Sequence, residues 1–374
     1  MINRQDQTTR IGKLSIWYTA NKTNLARILI ILVFLSFAIW AISLNHYQLV
    51  IDKSPLGLWL TTALTSIGPE LAGIVIGVVT IDYLNERRQD EQFKAQLIRQ
   101  MGSKHNDVAD PAVRELRARG WLENGSLQNA YLAGANLQSA DLRDADLSYA
   151  DLSNANLHDA NLSSASLKHA NLNFAILDEA ELYDADLTFA LLWEANLNGA
   201  NLNNAQLIRA DMNHASLKHA SLWSANLSRA ELNGANLDNA DLWRANLDNA
   251  HLVTASLKNT KIVEASLKKV DLAQADLQNA NVTESELQES NLYGANFTET
   301  DLEGSNLSST HMGFANLTSA NLKGAKLDGT RYLSTAIMDD TTMPDETFLK
   351  GERNSKGMPP DEWLSIHGHE LHDS

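Results

Sequence analysis

Residues 130–171 read AYLAGANLQSADLRDADLSYADLSNANLHDANLSSASLKHAN, in which a leucine returns at every fifth position. Alanine occupies the position two residues before nearly every one of these leucines. The period starts at Leu127, continues to Leu327 and weakens at Tyr332 and Ile337, which gives about 43 pentads. A strict short period of this length indicates a solenoid built from many copies of one unit.

A period of five residues matches neither the helical period of 3.6 nor the strand period of two. On a helix, each step of five advances about 140° and would spread the leucines around the whole circumference. The pattern instead predicts a chain that turns a corner in every pentad, with the leucine (position i) and the alanine (i−2) pointing inward. Four such sides close a square coil of about 20 residues, and successive coils stack about 4.8 Å apart. We expect the Asn and Asp residues at i−1 to lie at the corners and to bond nearby backbone groups.

Units such as Ala-Asn-Leu-Gln-Ser and Ala-Asp-Leu-Ser-Tyr resemble those of the pentapeptide-repeat proteins, whose consensus is A-(D/N)-L-x-x. The resemblance covers about 215 of the 374 residues. It implies an all-β solenoid, the right-handed quadrilateral β-helix of that family. It implies little about activity, because most members of the family have no known function.

After residue 255, other residues often replace alanine at i−2, the small inward site. These residues are larger or polar, so we expect a wider or less regular interior there. The substituted positions are Thr260, Val270, Ser285, Ser290, Thr300, Ser305 and Thr310.

The net charge of −16 lies entirely on the repeats. Residues 121–340 contain 29 Asp and Glu against 13 Lys and Arg, and the rest of the chain is neutral. This excess either keeps an Ala- and Leu-rich solenoid soluble or offers an acidic surface to a basic partner. The chain has no cysteine, which excludes disulfides, thiol catalysis and cysteine-ligated zinc.

The N-terminal part contains two apolar tracts. Residues 28–44 carry no charge and would form about 26 Å of helix, just enough to span a bilayer. A second tract, 56–81, is interrupted at Gly68-Pro69-Glu70. It predicts either one long kinked helix, or an interfacial piece over 56–67 followed by a span from about Pro69 to Leu84.

Basic residues flank both tracts, whereas the connector 45–55 has only Lys53. The positive-inside rule therefore predicts a transmembrane hairpin with both termini in the cytoplasm and the repeats at the inner face of a bacterial plasma membrane. The flanking residues are Arg4, Arg10, Lys13, Lys22 and Arg27 before the hairpin, and Arg87, Arg88, Lys94 and Arg99 after it.

Three residues of the second tract are candidates for a role in the membrane. Gly73 and Gly77 form a small-xxx-small motif, which favours close packing between helices, either within the chain or in a homo-oligomer. Glu70 is a candidate intramembrane polar residue, although a helix starting at Pro69 would place it at the interface.

The segments next to the repeats are expected to cover the open ends of the solenoid. Asp82–Met101 predicts a cytoplasmic helix, and Asp110-Pro111 predicts the start of a second helix with Asp110 as N-cap. The apolar residues expected to cover the first coil are Val113, Leu116, Trp121 and Leu122. The predicted segments are a cytoplasmic terminus 1–27, a two-helix membrane region 28–84, a neck and N-terminal cap 85–120, repeats 121–340, and a C-terminal cap and polar tail 341–374.

The sequence contains no convincing catalytic, cofactor or metal site. It lacks the phosphate loop, the dinucleotide fingerprint, the nucleophile elbow and the HExxH motif. The His-rich segment 367–372 is interpreted as incidental surface histidines. The many carboxylates follow from the repeat's preference at i−1, so their pairing does not indicate acid–base chemistry. We predict that the protein is not an enzyme.

Arranging the sequence in 20-residue coils gives columns of side chains on the surface. Trp223 and Trp243 occupy the same site (i+1) in successive coils, with Arg244 beside Trp243 and Tyr183 two coils below Trp223. Exposed neighbouring indoles indicate either a contact patch or mutual stacking that stabilises the solenoid. Arg209 and Arg229 form a comparable basic pair on another side.

The function expected from these features is a membrane-anchored scaffold that presents an acidic cytoplasmic rod to an unknown protein partner. A first alternative is inhibition of a topoisomerase by DNA mimicry, because some members of the resembled family are acidic rods that bind gyrase. DNA carries about one charge per 1.7 Å, however, which is denser than −16 over a rod of about 50 Å. A second alternative is an oligomeric channel or sensor component regulated by the rod. Direct binding of nucleic acid is not expected.

Overall fold

The computed structural model describes the backbone of residues 55–345, 348–350 and 353–354. Side chains are described for residues 77–345. The chain forms two compact units, Met1–Gln92 and Phe93–Ser374. The predicted membrane helix over 28–44, the terminus 1–27 and the histidines of the tail lie outside the described residues.

The first described element is helix α1, Pro55–Met101. It runs without interruption through Gly68 and Pro69, so of the two alternatives for the second apolar tract the single long helix is correct. Proline at this point removes one backbone hydrogen bond but does not end the helix. The predicted helix over Asp82–Met101 is its last part. Within the described part of the chain, no helix combines the length and apolar character that crossing a bilayer requires.

Glu70 and Gly73 lie on α1, at positions for which only the backbone is described. A Cβ added at Gly77 would meet no described atom within 4 Å, so that face of the helix is open. Association through Gly73 and Gly77 stays a prediction.

The repeats form a β-helix in which each coil takes 20 residues. Parallel bridges join Tyr131 to Asp151, Asn136 to Asn156, and so on at this spacing as far as His311–Arg331. Each bridge consists of two backbone hydrogen bonds between adjacent coils. At Tyr131–Asp151, for example, the N–H of Leu132 donates to the carbonyl of Asp151 (2.7 Å). Four pentads make one coil, as predicted.

Each pentad buries its leucine and its alanine and exposes the other three positions to different degrees. The N–H of each alanine donates to the carbonyl of the leucine three residues earlier, as in Ala135 to Leu132 (3.0 Å), which closes a tight turn. The residue before the alanine has positive φ, between 52° and 62° where it is not glycine. This conformation at the third turn position is that of a type II turn.

The predicted location of the Asn and Asp residues at i−1 is wrong in one respect. They lie on the bridged positions of each side, and the corners are formed by i+1 and i+2. Their predicted bonding to nearby backbone is present: the Oδ1 atom accepts the N–H two residues later, as at Asp151 and Ser153 (3.1 Å). These side chains therefore stabilise the turn that follows them in the chain.

The interior does not become irregular after residue 255, contrary to the expectation. The bridges keep their 20-residue spacing, and the substituted residues are buried. Four of the six hydroxyl residues among them donate to the carbonyl 23 residues earlier. Thr260 donates to Leu237 (2.9 Å) and Thr300 to Leu277 (2.8 Å), and Ser285 donates likewise to Ile262.

The N-terminal end of the β-helix is covered by the last turns of α1 and by helix α2, Asn106–Ala118. Predicted cap residues Val113, Leu116 and Leu122 are buried, together with Met101 and Ala109. The backbone carbonyls of Ser103 and Leu122 accept the N–H groups of Asn136 and Asp146 in the first coil.

The predicted start of α2 at Asp110 is wrong. The helix begins at Asn106, and Pro111 lies inside it. The earlier turn forms because Ala109 is fully buried against the first coil, and the N–H groups of Val108 and Ala109 donate to the carbonyl of His105. Packing thus outweighs the hydrogen bond that the proline removes.

The repeats continue past the predicted boundary at residue 340, but in a shifted register. One extra residue enters at a 3₁₀ turn, Leu333–Thr335, so the bridges become Asn316–Ile337 and Asn321–Thr342. Tyr332 and Ile337 are therefore not the inward residues that the period predicts. Ile337 is 56% exposed, whereas Leu333, Met338 and Met343 are buried and point inward.

A small antiparallel sheet follows the last coil. Its order is β1 (Thr341–Thr342), β2 (Phe348–Lys350) and β3 (Arg353–Asn354). Thr342 is bridged to Asn321 on one side and pairs with Phe348 on the other. The strand edge at the end of the solenoid thus has a partner at this position.

The small inward site leads to a prediction about size and polarity. Ala240→Leu should lower the free energy of unfolding by about 1–3 kcal/mol, because the filled coil has no room for a second large side chain. Ala240→Thr should cost less than about 1 kcal/mol, since its hydroxyl can reach the carbonyl of Leu217, 23 residues earlier. Urea unfolding followed by circular dichroism measures both, and equal losses would contradict the hydroxyl explanation.

Candidate protein-interaction site

Each coil has four faces, which we number by their first pentads: face 1 is centred on Leu132, face 2 on Leu137, face 3 on Leu142 and face 4 on Leu147, each recurring every 20 residues. Side chains at the same site of successive coils form a column. Because the coils are in register, two large side chains in one column come into contact whenever they are one coil apart.

Trp223 and Trp243, the tryptophan pair, lie one coil apart in the i+1 column of face 3. Their rings are stacked, with centroids 4.6 Å apart and an interplanar angle of 29°. The N–H of Trp223 donates to Oδ1 of Asn203 (2.8 Å) and that of Trp243 to Oδ1 of Asp241 (3.1 Å). These bonds hold the backbone beneath both indoles, and Trp223 remains 47% exposed.

Arg244 lies against the tryptophan pair, as the sequence suggested. Its guanidinium carbon is 3.9 Å from the ring centroid of Trp243, and its Nε donates to Oε2 of Glu264 (2.8 Å) one coil above. The guanidinium is therefore fixed by a carboxylate at one end and by an aromatic face at the other.

The tryptophan pair forms one wall of an open pocket of about 260 Å³. The other lining residues are Asp241, Lys261 and Val263, and Nζ of Lys261 is 3.8 Å from Oδ2 of Asp241. An apolar wall with one acidic and one basic group at its rim suits an amphipathic side chain of a protein partner. No cluster of side chains able to hold a metal ion occurs among the described residues.

Tyr183 belongs to the same column but not to the same contact. Asn203 occupies the site between Tyr183 and Trp223, so the tyrosine, 43% exposed, lies two coils from the tryptophan pair. The structure thus brings together three of the four predicted patch residues and leaves Tyr183 apart.

A second aromatic column was missed by the sequence reasoning. At the corner between faces 4 and 1, His169 is stacked between Tyr149 and Phe189, with centroid distances of 4.7 and 4.9 Å. Arg209, predicted only as half of a basic pair with Arg229, continues this column with its guanidinium carbon 5.5 Å from the Phe189 ring. Applying the 20-residue spacing to the i+2 sites would have revealed it.

A third aromatic cluster lies near the C-terminal end of face 1. The Tyr293 ring is 5.6 Å from both His311 and Phe314, and His311 is 4.8 Å from Tyr332. Burial and the nearby Arg331 lower the pKa of His311, which keeps the imidazole neutral at neutral pH.

Comparison with known proteins identifies the family. The family described as pentapeptide repeats (8 copies) matches more than half of the chain, at residues 126–163, 155–192, 185–223, 225–262, 265–304 and 295–331. The chain therefore belongs to the pentapeptide-repeat family, and the predicted right-handed β-helical solenoid is confirmed.

Solved structures of other members are similar to this chain. HetL, a pentapeptide-repeat protein involved in heterocyst differentiation regulation from the cyanobacterium Nostoc sp., is 31% identical over 64% of this chain and 98% of its own, with a TM-score of 0.34. QnrB1, a plasmid-mediated fluoroquinolone resistance protein, is 19% identical over 47% of this chain and 90% of its own, with a TM-score of 0.31. Rfr23 from the cyanobacterium Cyanothece is 31% identical over 29% of this chain and 64% of its own, with a TM-score of 0.12. No curated protein matches the chain significantly.

The stacked indoles should also contribute to stability. A double-mutant cycle with Trp223→Asn and Trp243→Asn should give a coupling free energy of about 0.5–1.5 kcal/mol, the range for aromatic pairs. Asparagine is chosen because Asn203 occupies the same site one coil below. Additive effects in urea unfolding would show that the indoles stabilise the solenoid only through their separate contacts.

Proposed function

We propose that this protein is a non-enzymatic interaction module whose β-helix binds a protein partner through the tryptophan pair on face 3. The observation that carries the proposal is the exposed indole stack beside a fixed arginine and an open pocket. Tryptophan and arginine are the residues that most often dominate binding energy at protein interfaces. A rigid solenoid presents them without the entropic cost of ordering a loop.

The charge distribution favours this function over DNA mimicry. Residues 201–260, which carry the tryptophan pair, contain five acidic and five basic residues. The two flanking stretches are acidic, with eleven against two over 141–200 and nine against three over 261–320. DNA carries its charge evenly along its axis. A neutral band in the middle therefore makes a poor copy of the phosphate backbone.

Ion pairs between neighbouring coils hold several cations in and next to the neutral band. Lys258 pairs with Asp276 (2.9 Å), Lys269 with Glu289 (3.3 Å) and Arg244 with Glu264 (2.8 Å). Cations next to the indoles thus already have carboxylate partners. We expect the contact at face 3 to depend more on buried indole area than on long-range charge.

The binding test is affinity capture from membranes with the tagged full-length protein. Trp223→Asn combined with Trp243→Asn should abolish capture of a partner that the wild-type chain retains, while Tyr183→Asn, on the same face but outside the contact, should retain it. Equal recovery with the double variant would reject face 3 as the binding surface. Loss with Tyr183→Asn as well would show that the contact extends over four coils.

Attachment to a bacterial plasma membrane is a further part of the proposal. It is supported by the uncharged segment 28–44 and its basic flanks. The wild-type chain should resist extraction from membranes by alkaline carbonate. Leu35→Arg with Phe37→Arg should release it, because each charge costs about 2.5–3.5 kcal/mol at the bilayer centre. Complete extraction of the wild-type protein would refute membrane anchoring.

A further inference from the structure

Five large apolar side chains lie exposed on two successive coils that precede the tryptophan pair, and on different faces from it. They occupy face 1, the two corners that bound it and the first position of face 2, and each is 37–43% exposed. We call them the apolar patch: Phe174, Ile176, Phe189, Leu191 and Trp193.

Contacts between the two coils make the patch continuous. The rings of Phe174 and Trp193 meet edge to face with centroids 4.9 Å apart, and the N–H of Phe174 donates to the carbonyl of Trp193 (2.9 Å). Around the corners, buried Ala175 separates Phe174 from Ile176, and buried Ala190 separates Phe189 from Leu191. The patch therefore extends from the corner before face 1, across face 1, to the first position of face 2.

The repeat itself does not require these residues. Asn171 and Asp211 occupy the site of Leu191 in the coils below and above, and Asn156 and Asn196 occupy the site of Ile176. The fold accepts polar side chains at both sites, so the apolar ones gain nothing from being there unless something else covers them.

The surroundings of the patch are acidic. The three coils over residues 141–200 contain eleven Asp and Glu against two Lys and Arg. Glu194 follows Trp193, Glu179 lies three residues after Ile176, and within the described residues neither carboxylate has an ion-pair partner. Arg209, over the Phe189 ring, marks the boundary with the neutral band.

The carboxylate of Asp186, in the same pentad as Phe189, stays ionised. Although burial raises the pKa of Asp186, hydrogen bonds from Thr188 and Lys168 outweigh it, so this pKa lies below its usual value. Lys168, one of the two cations in the acidic stretch, is already paired with Asp186 (3.0 Å). A ligand of the patch therefore meets negative charge that is only partly compensated.

We propose that the apolar patch binds a basic amphipathic segment of a partner protein, whose apolar side chains cover the patch and whose Lys and Arg side chains pair with Glu179 and Glu194. A second copy of this surface is disfavoured, because two acidic stretches would face each other. An anionic lipid surface is disfavoured for the same reason. This site is independent of the tryptophan pair.

The probe is a synthetic amphipathic peptide of about 14 residues composed of Leu and Lys in a helical pattern. Two peptides serve as controls: one with Glu in place of Lys, and one with Ser in place of Leu. Binding to the full-length protein in a neutral detergent is followed by fluorescence anisotropy. The Leu/Lys peptide should bind, more weakly as salt rises from about 50 to about 500 mM, and both controls should bind at least about tenfold more weakly.

The matched variants exchange patch residues for those of neighbouring coils. Leu191→Asn with Ile176→Asn should weaken binding of the Leu/Lys peptide by at least about tenfold. Trp223→Asn should leave it unchanged, and unaltered circular dichroism confirms that the variants fold. Absence of binding, equal binding of the Glu peptide, or unchanged affinity in the patch variant would each overturn the proposal. An equal loss with Trp223→Asn would also overturn it, since the peptide would then be bound on face 3.

Discussion

The inside of each coil admits one leucine and one small residue per side, and the rest of the structure depends on that limit. With both positions filled in every pentad, the chain can close only as a four-sided coil whose backbone pairs with the coils above and below. The hydroxyl residues after position 255 keep within the limit because they are small, and four of them add a hydrogen bond to a carbonyl 23 residues earlier. Non-glycine residues with positive φ recur in nearly every pentad, and the stacked backbone bonds offset their unfavourable conformation.

Strict register turns the surface into columns, which is how an otherwise uniform solenoid acquires distinct sites. Two tryptophans separated by 20 residues necessarily stack, and an arginine one position later reaches both the indole and a carboxylate of the next coil. Charge varies along the axis, from acidic around the apolar patch to neutral around the tryptophan pair. The two proposed binding sites therefore differ both in charge and in the face of the β-helix that they occupy.

Most of the fold was predictable, and so was the central part of the candidate site. The spacing of leucine and alanine predicted the coil, and the 20-residue spacing alone predicted that Trp223, Trp243 and Arg244 lie together. Tyr183 was assigned to the same patch because it shares their column, although its separation of 40 residues from Trp223 already placed it two coils away. The aromatic column at Tyr149, His169 and Phe189 was not predicted, although the Arg209 and Arg229 pair identified from the sequence lies in the same i+2 column.

What the sequence determined by itself is the 20-residue coil, its inward residues and its columns, because a period of five with one large inward residue allows only one backbone path. The tertiary structure decided the ends. Packing of Ala109 against the first coil starts α2 four residues before Asp110, and an extra residue after Arg331 moves Met338, rather than Ile337, into the interior. The apolar patch also depends on the tertiary structure, because its residues come from different positions of the pentad. Only the turn at each corner brings Phe189 beside Leu191 and Phe174 beside Ile176.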